Sequence, residues 1–178
     1  MFVYGNYYQE DVMSNKWVER FIDLSKHISE WSKDPSTKVG AVIVRPDKSI
    51  CSTGFNGFPR NIIDWEHDYN DRETKYKKII HAETNAIFFA GEQLENYSLF
   101  TYPFAPCSRC AGNIIQTHKH GKPGIKHVFF PKASEEVLIR WKDDLLFSIN
   151  MLNEAGLVPC EIDLNPESKT YREIFYVF

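Results

Sequence analysis

Two short motifs constrain this sequence more than any other feature, because neither has an obvious use unless the fold brings them together. His81-Ala82-Glu83 opens an apolar helical segment, and Pro106-Cys107-Ser108-Arg109-Cys110 follows downstream. Imidazole and thiolate are ligands that Zn²⁺ takes in tetrahedral sites, and catalytic zinc sites use three protein ligands and keep one position open. The pattern predicts one zinc ion per chain, bound by His81, Cys107 and Cys110.

Glu83 follows the predicted ligand His81 by two residues, on the same helical turn. Two thiolates and a neutral imidazole leave the metal unit formally neutral, so a nearby carboxylate is needed to take a proton from the attacking water. We therefore predict that Glu83 is a catalytic acid–base group. The alternative is a closed structural zinc site, but neither Cys51 nor Cys160 has the spacing of a fourth ligand.

Composition narrows the class of protein. The 178 residues are 43% hydrophobic and 15% aromatic, which is typical of a globular chain, and we predict one domain over residues 1–178. The net charge of −3 offers no basic excess for nucleic acid. No apolar run approaches the roughly 20 residues that span a bilayer, and residues 1–16 lack the pattern of a secretory signal. We expect a cytoplasmic protein that binds neither nucleic acid nor membranes.

Hydrophobic periodicity predicts alternating helices and strands, and therefore an α/β fold on a single sheet. The helices are predicted at about 15–33, 82–90, 111–117 and 135–155, and the strands at about 39–45, 49–55, 97–102, 125–130 and 157–164. Residues 56–78 are polar and are predicted to form a long functional loop. The N-terminal extension, 1–13, and the C-terminal tail, 165–178, are left without a predicted structure.

Three sequence blocks resemble the cytidine deaminase superfamily and, within it, the deoxycytidylate (dCMP) deaminases. They are "DPSTKVGAVIV", "STGFNGFPRN", and "KYKKIIHAETNAI" with "APCSRCAGNIIQ". The zinc motif indicates the superfamily, whereas the Gly-aromatic-Asn-Gly loop at Gly54–Arg60 is the narrower signal. The resemblance implies a three-layer α/β/α fold with one mixed sheet of about five strands. It also implies zinc-dependent hydrolysis of dCMP to dUMP and ammonia, which would feed dTMP synthesis.

The same resemblance suggests substrate contacts. Asn56 would hold the sugar hydroxyl, while Val39 and the backbone around Ala82 would frame the base. Lys38 would contact the phosphate, and Phe130 would replace an aromatic residue that family members carry in the following loop. From the residues alone, Asn56 also fits a turn and Lys38 a solvated strand edge.

Members of the family are often activated by dCTP with Mg²⁺ and inhibited by dTTP, and they are typically homo-oligomers. The resemblance makes four residues candidates for regulatory nucleotide binding: Gly54, Phe55, Gly57 and Arg60. Arg60 also fits an ordinary solvated arginine. Two other functions stay open, namely a zinc deaminase that acts on a free nucleoside or on nucleic acid, and a non-catalytic zinc-stabilised binding module.

Overall fold

The computed structural model describes residues 2–3, 13–164, 171–173 and 175–176. Its helices are α1 (Asn15–Ser29), α2 (Glu66–Asn70), α3 (Arg72–Lys78), α4 (Ala82–Ala90), α5 (Ser108–Ile115) and α6 (Glu135–Glu154). Its strands are β1 (Phe2–Val3), β2 (Gly40–Val44), β3 (Ile50–Phe55), β4 (Tyr97–Tyr102), β5 (Ile125–Pro131), β6 (Val158–Ile162), β7 (Tyr171–Glu173) and β8 (Phe175–Tyr176). Most of the N-terminal extension, 1–13, and of the C-terminal tail, 165–178, lies outside the described residues.

Within these described ranges, six strands form one mixed sheet in the order β3-β2-β4-β5-β6-β7. Strand β2 is antiparallel to β3 and β4, whereas β4, β5 and β6 are parallel to one another. The five predicted strands are confirmed, and β7 adds a short antiparallel edge to β6. Strands β1 and β8 pair separately.

The sheet lies between two helical layers, and the side chains of β2 show how one strand serves both. Ala41 and Ile43 pack into the core beneath α4, α5 and α6, while Val42 and Val44 pack against α1 on the opposite face. Alternate residues of a strand point to opposite faces, so a continuous apolar run is expected for a strand covered on both sides. The three-layer α/β/α arrangement is therefore confirmed.

The start of α4 lies unusually close to strand β3, at Gly54. A Cβ atom added to Gly54 would overlap the carbonyl oxygen of Ala82 and would come too close to the backbone nitrogen of Ala86. Glycine is the residue that permits such a backbone approach. The missing side chain thus sets the position of α4, whose first turn carries the predicted catalytic glutamate.

The prediction of an irregular loop over residues 56–78 is wrong in part, because α2 and α3 form inside it. The Asp71 carboxylate caps α3 by accepting from the Thr74 N–H, and Glu73 pairs with Lys77 one turn apart. Short helices of this kind are stabilised by caps and by tertiary contacts and do not depend on an amphipathic pattern. Hydrophobic periodicity in the sequence therefore does not reveal them. The segment is therefore partly helical and is not one continuous irregular loop.

Candidate active site

The predicted ligands meet where two helices begin. His81 is the N-cap residue of α4 and Cys107 is the N-cap residue of α5. The sulfurs of Cys107 and Cys110 each lie 3.3 Å from His81 Nδ1, and the three ligand atoms lie within 4.8 Å of one another. Tetrahedral zinc with ordinary bond lengths requires nitrogen and sulfur about 3.5 Å apart. The three side chains therefore fit Zn²⁺ as they stand.

The two thiols are not equivalent. The hydrogen bond from the Cys110 thiol, together with the one from His81, lowers the pKa of Cys107 to about 4 in spite of burial. The same contact between the sulfurs and the burial of the site raise the pKa of Cys110 above its usual range. Cys107 is therefore the easier of the two thiols to deprotonate, and metal binding would displace the protons that the ligands still hold.

Glu83 is a buried carboxyl group beside this cluster. Its side chain is only 3% exposed, and its Oε2 accepts a hydrogen bond of 3.4 Å from the Cys110 thiol. Burial raises the pKa of the Glu83 carboxyl above its ordinary value, which brings it closer to that of an effective proton carrier at neutral pH. An ordinary helix-surface carboxylate would be solvated, so this position favours the predicted acid–base role.

The cluster opens into a cavity of about 620 Å³, within the range of ligand sites in proteins. His81, Glu83 and Cys107 line one end. The remaining walls come from the loop over residues 34–39, the segment containing α2 and α3, and helix α6. We call the part lined by the two helix starts the metal end, and the part lined by the 34–39 loop, by α2 and α3, and by Arg140 of α6 the polar end. Helix α6 also contacts the metal end, because its Asp144 accepts hydrogen bonds from Ser108.

Asn56 lines the cavity, as does Val39, and its side chain is engaged with the protein. Asn56 Oδ1 accepts from the Val39 N–H at 2.8 Å, and Asn56 Nδ2 donates to the Thr37 carbonyl at 2.9 Å. The side chain is buried, at 4% exposure. Asn56 therefore holds the 34–39 loop in shape, and its predicted contact with the substrate stays a prediction.

Three other residues of the predicted substrate set are not brought to the cavity by their side chains. Lys38 is exposed, and its Nζ lies 3.4 Å from the Glu30 carbonyl. Ala82 is fully buried against the core. Phe130 is a core residue at 2% exposure, because β5 continues through Pro131 and keeps Phe130 inside the strand. The structure gives Phe130 no contact with the cavity.

The predicted regulatory residues lie around the end of β3, and their surroundings differ. The backbone of α4 fills the space beside Gly54, and Gly57 exchanges backbone hydrogen bonds with Ile80. Phe55 and Arg60 remain exposed, and the Arg60 guanidinium lies 4.6 Å from the centre of the Phe89 ring. Only the latter two offer side chains to a ligand on this outer surface.

Sequence reasoning missed a buried ion pair in the polar end. Lys75 Nζ lies 3.2 Å from Asp34 Oδ1 and donates to Ser36 Oγ at 3.0 Å, with the two charged side chains 9% and 5% exposed. Asp34 Oδ1 also accepts from the Ser36 N–H at 2.8 Å. The turn-forming Asp-Pro-Ser sequence could have indicated the Asp34 contacts. Nothing in the sequence pairs Asp34 with Lys75.

Helix α6 was predicted as a long amphipathic helix, and it also supplies a cavity wall. Arg140, Trp141, Asp144 and Leu145 line the cavity. From α3, Arg72 joins them. Two arginines in the polar end provide positive charge where no sequence motif indicates an anion site. Their wide separation along the chain explains why no pattern pointed to them.

Comparisons with known proteins agree with this site. A sequence profile described as the cytidine and deoxycytidylate deaminase zinc-binding region matches residues 15–122. An uncharacterized deaminase of Aliivibrio fischeri is 43% identical over 145 residues, which cover 82% of this chain and 92% of that protein. A probable deoxycytidylate deaminase of Caenorhabditis elegans is 32% identical over 148 residues, 80% of this chain and 71% of that one.

Among solved structures, a dCMP deaminase of the cyanophage S-TIM5, in complex with dCMP and dUMP, superposes with a TM-score of 0.64. The alignment covers 85% of this chain and 100% of that one at 22% identity, which supports the fold. Fold and site together define a zinc-dependent hydrolytic deaminase. The chain belongs to the cytidine and deoxycytidylate deaminase family.

Two further observations concern the described residues alone. His81, Cys107 and Cys110 are the only cluster there with the spacing of a metal site. No helix in the described ranges is both long and apolar enough to cross a lipid bilayer.

Proposed function

We propose that this protein catalyses the hydrolytic deamination of dCMP to dUMP and ammonia, as a source of dUMP for dTMP synthesis. The observation that carries the proposal is the buried Glu83 carboxyl, which lines a cavity of about 620 Å³ together with the ligand residues His81 and Cys107. The names of the relatives, which include deoxycytidylate deaminases from animals and phages, support dCMP as the substrate.

Residues of this chain account for the proton transfers that the reaction needs. His81, Cys107 and Cys110 would hold Zn²⁺, one ion per chain, which acts as a Lewis acid toward water and substrate. Glu83 takes a proton from the attacking water as its oxygen bonds to C4 of the cytosine, and passes that proton to N3. Glu83 then takes the proton of the new C4 hydroxyl, which becomes the C4 carbonyl of dUMP, and delivers it to the 4-amino group as the C4–N bond breaks and ammonia leaves.

The polar end suits the rest of a nucleotide. Arg72 and Arg140 line the cavity, together with Ser36 and Thr37. Guanidinium groups bind phosphate through paired charged hydrogen bonds, which makes them suitable for a 5′-phosphate. A free nucleoside has no phosphate for these exposed cations to bind. This is the reason to prefer a nucleotide over a nucleoside.

We also propose regulation by nucleoside triphosphates, with Mg²⁺ bound alongside the effector, in a homo-oligomeric cytoplasmic enzyme. The loop after β3 supports this: Asn56 faces the cavity, while Phe55 and Arg60 face outward. An effector bound outside could therefore shift Asn56. dCTP should make a sigmoidal dCMP response hyperbolic, dTTP should depress it, and Arg60→Ala should weaken both effects. Hyperbolic kinetics that neither triphosphate changes would contradict the regulatory proposal without affecting the proposed deamination reaction.

The test of the catalytic proposal is a substrate panel. Ammonia release is measured from dCMP, deoxycytidine, cytidine and tRNA with zinc-loaded protein, and the zinc content is determined on the same sample. We expect dCMP to react with the highest kcat/KM. Faster release from a nucleoside or from tRNA would support the corresponding alternative deaminase. Bound zinc with no release from any of the four would support a binding module.

A further inference from the structure

Helix α6 reaches the zinc-binding turn through one carboxylate. Asp144 Oδ2 accepts a hydrogen bond of 3.1 Å from the Ser108 N–H, and Asp144 Oδ1 accepts one of 2.6 Å from the Ser108 hydroxyl. Ser108 stands between the two cysteine ligands and is the first residue of α5. A single side chain therefore binds both the backbone and the side chain of this turn.

The turn lacks a cap of its own. Cys107 occupies the N-cap position of α5 and makes no side-chain capping hydrogen bond, because its sulfur points to the metal cluster. The first N–H groups of a helix need acceptors from outside, and a negative charge at that end is favourable. Asp144 provides both from a helix that is distant in sequence. It replaces the cap that the ligand role of Cys107 excludes.

We propose that Asp144 is a positioning residue that fixes the Cys107–Cys110 turn in its zinc-binding conformation. Partners that orient metal ligands typically change metal affinity by roughly 10–100-fold when they are removed. Asp144 lies beyond residues 15–122, where the family profile matches. The zinc-binding region of this chain thus depends on a residue outside it. The proposal rests on zinc binding and not on dCMP as the substrate.

The charge of Asp144 also acts on the metal, and the test separates this effect from positioning. A carboxylate attracts a divalent cation, so loss of the charge alone would weaken zinc binding equally in Asp144→Asn and Asp144→Ala. Asp144→Asn keeps one acceptor for Ser108, whereas Asp144→Ala keeps none. Positioning therefore predicts a larger loss of zinc affinity in Asp144→Ala than in Asp144→Asn, and equal losses would overturn the proposal.

The experiment measures zinc affinity of the full chain by competition with a chromogenic chelator. We expect Asp144→Ala to weaken zinc binding about 10–100-fold, and Asp144→Asn to weaken it less. Asp143→Ala is the matched control, since Asp143 is the preceding residue of the same helix and is exposed. Ser108→Ala should weaken binding less than Asp144→Ala, because the Ser108 N–H still donates to Asp144, and the double variant should bind zinc no more weakly than Asp144→Ala alone.

A spectroscopic measurement distinguishes a change in the coordination of the metal from a general loss of protein stability. With Co²⁺ in place of zinc, the visible absorption of the wild type should be that of a tetrahedral site, and Asp144→Ala should alter it while Asp143→Ala does not. Thermal unfolding in excess chelator reports the stability of each variant without metal. Unchanged or tighter zinc binding in both Asp144 variants would overturn the proposal. The proposal would also be overturned if the loss in free energy of zinc binding equalled the loss in free energy of unfolding measured without metal.

Discussion

The metal end and the polar end of the cavity are built in different ways. At the metal end, His81 and Glu83 come from the first turn of one helix, and Cys107 and Cys110 from the first turn of another. At the polar end, each wall comes from a different part of the chain: the 34–39 loop, α3 and α6. The comparison indicates that the zinc-binding motifs are local in the sequence, whereas the polar end is assembled by tertiary packing.

The two ends of the cavity also differ in the contacts that keep their residues in position. Close backbone packing of α4 on Gly54 positions the metal end. A buried ion pair, Lys75 with Asp34, holds the 34–39 loop at the polar end. Substitutions at the first end should therefore affect metal and rate, and substitutions at the second should affect stability and substrate affinity. Four variants test this division.

The largest expected effect is loss of the metal in Cys107→Ser. A hydroxyl is a poor substitute for a thiolate ligand, so zinc content should fall from about one ion per chain to nearly none, and turnover with it. Elemental analysis of purified protein measures this. Cys51→Ser is the control, since the Cys51 thiol donates to Glu92 at 3.2 Å and lies outside the metal cluster. Retention of zinc in Cys107→Ser, or two ions in the wild type, would contradict the assigned ligand set.

Glu83→Gln should keep zinc and fold but lose turnover. The amide has nearly the same shape and cannot carry the proton, so kcat should fall by roughly 10²–10⁴. Ammonia release and zinc content are measured together, with Glu95→Gln as an exposed control on the loop after α4. A zinc-loaded Glu83→Gln enzyme with near wild-type kcat would mean that another group moves the proton.

Sequence reasoning succeeded at the metal end for a physical reason. Zinc ligation fixes residue types and spacing, so the clustering of His81, Cys107 and Cys110 could be predicted from the amino-acid sequence, whereas the catalytic role of Glu83 stays a prediction. The five longer strands were also predictable, because apolar runs such as β2 are covered on both faces. Local patterns were enough for both.

The polar end escaped prediction because its contacts are long-range. Asp34 and Lys75 are 41 residues apart, and no local pattern links them. The contact of Asp144 with Ser108 at the metal end escaped prediction for the same reason, since these two residues are 36 apart. Phe130 illustrates a different failure. It was placed at a strand end, but pairing with β6 continues through Pro131 and leaves Phe130 in the core.

Lys75→Met should destabilise the protein more than it slows catalysis. Removing one partner of a buried ion pair costs roughly 3–5 kcal/mol, and we expect about 3 kcal/mol because the Ser36 N–H still donates to Asp34. Urea unfolding measures the loss, and KM for dCMP should rise more than kcat falls. Lys77→Met is the matched control on the same helix: its pair with Glu73 is exposed, so we expect a change below about 0.5 kcal/mol. If the two substitutions lowered the free energy of unfolding equally, the proposed role of Lys75 in holding the 34–39 loop would be wrong.

Arg140→Ala should have the smallest and most selective effect. Because a charged hydrogen bond contributes about 1.5–3 kcal/mol and Arg140 is exposed, we expect KM for dCMP to rise about tenfold. KM for deoxycytidine, which has no phosphate, should not change. Lys142→Ala, another exposed cation on α6, controls for overall charge. A parallel rise in KM for both substrates would show that Arg140 shapes the cavity and does not bind phosphate.

The reach of Asp144 back to Ser108 has a consequence for how the protein is made. Chains are synthesised from the N-terminus at roughly 5–20 residues per second, and folding can begin before synthesis ends. All three ligand residues therefore leave the ribosome before α6 does. During that interval the nascent chain holds the ligands without their anchor, so zinc captured early would be bound weakly and could still exchange. Once α6 is complete and packed, Asp144 would fix the turn, and zinc would then be bound tightly and exchange slowly.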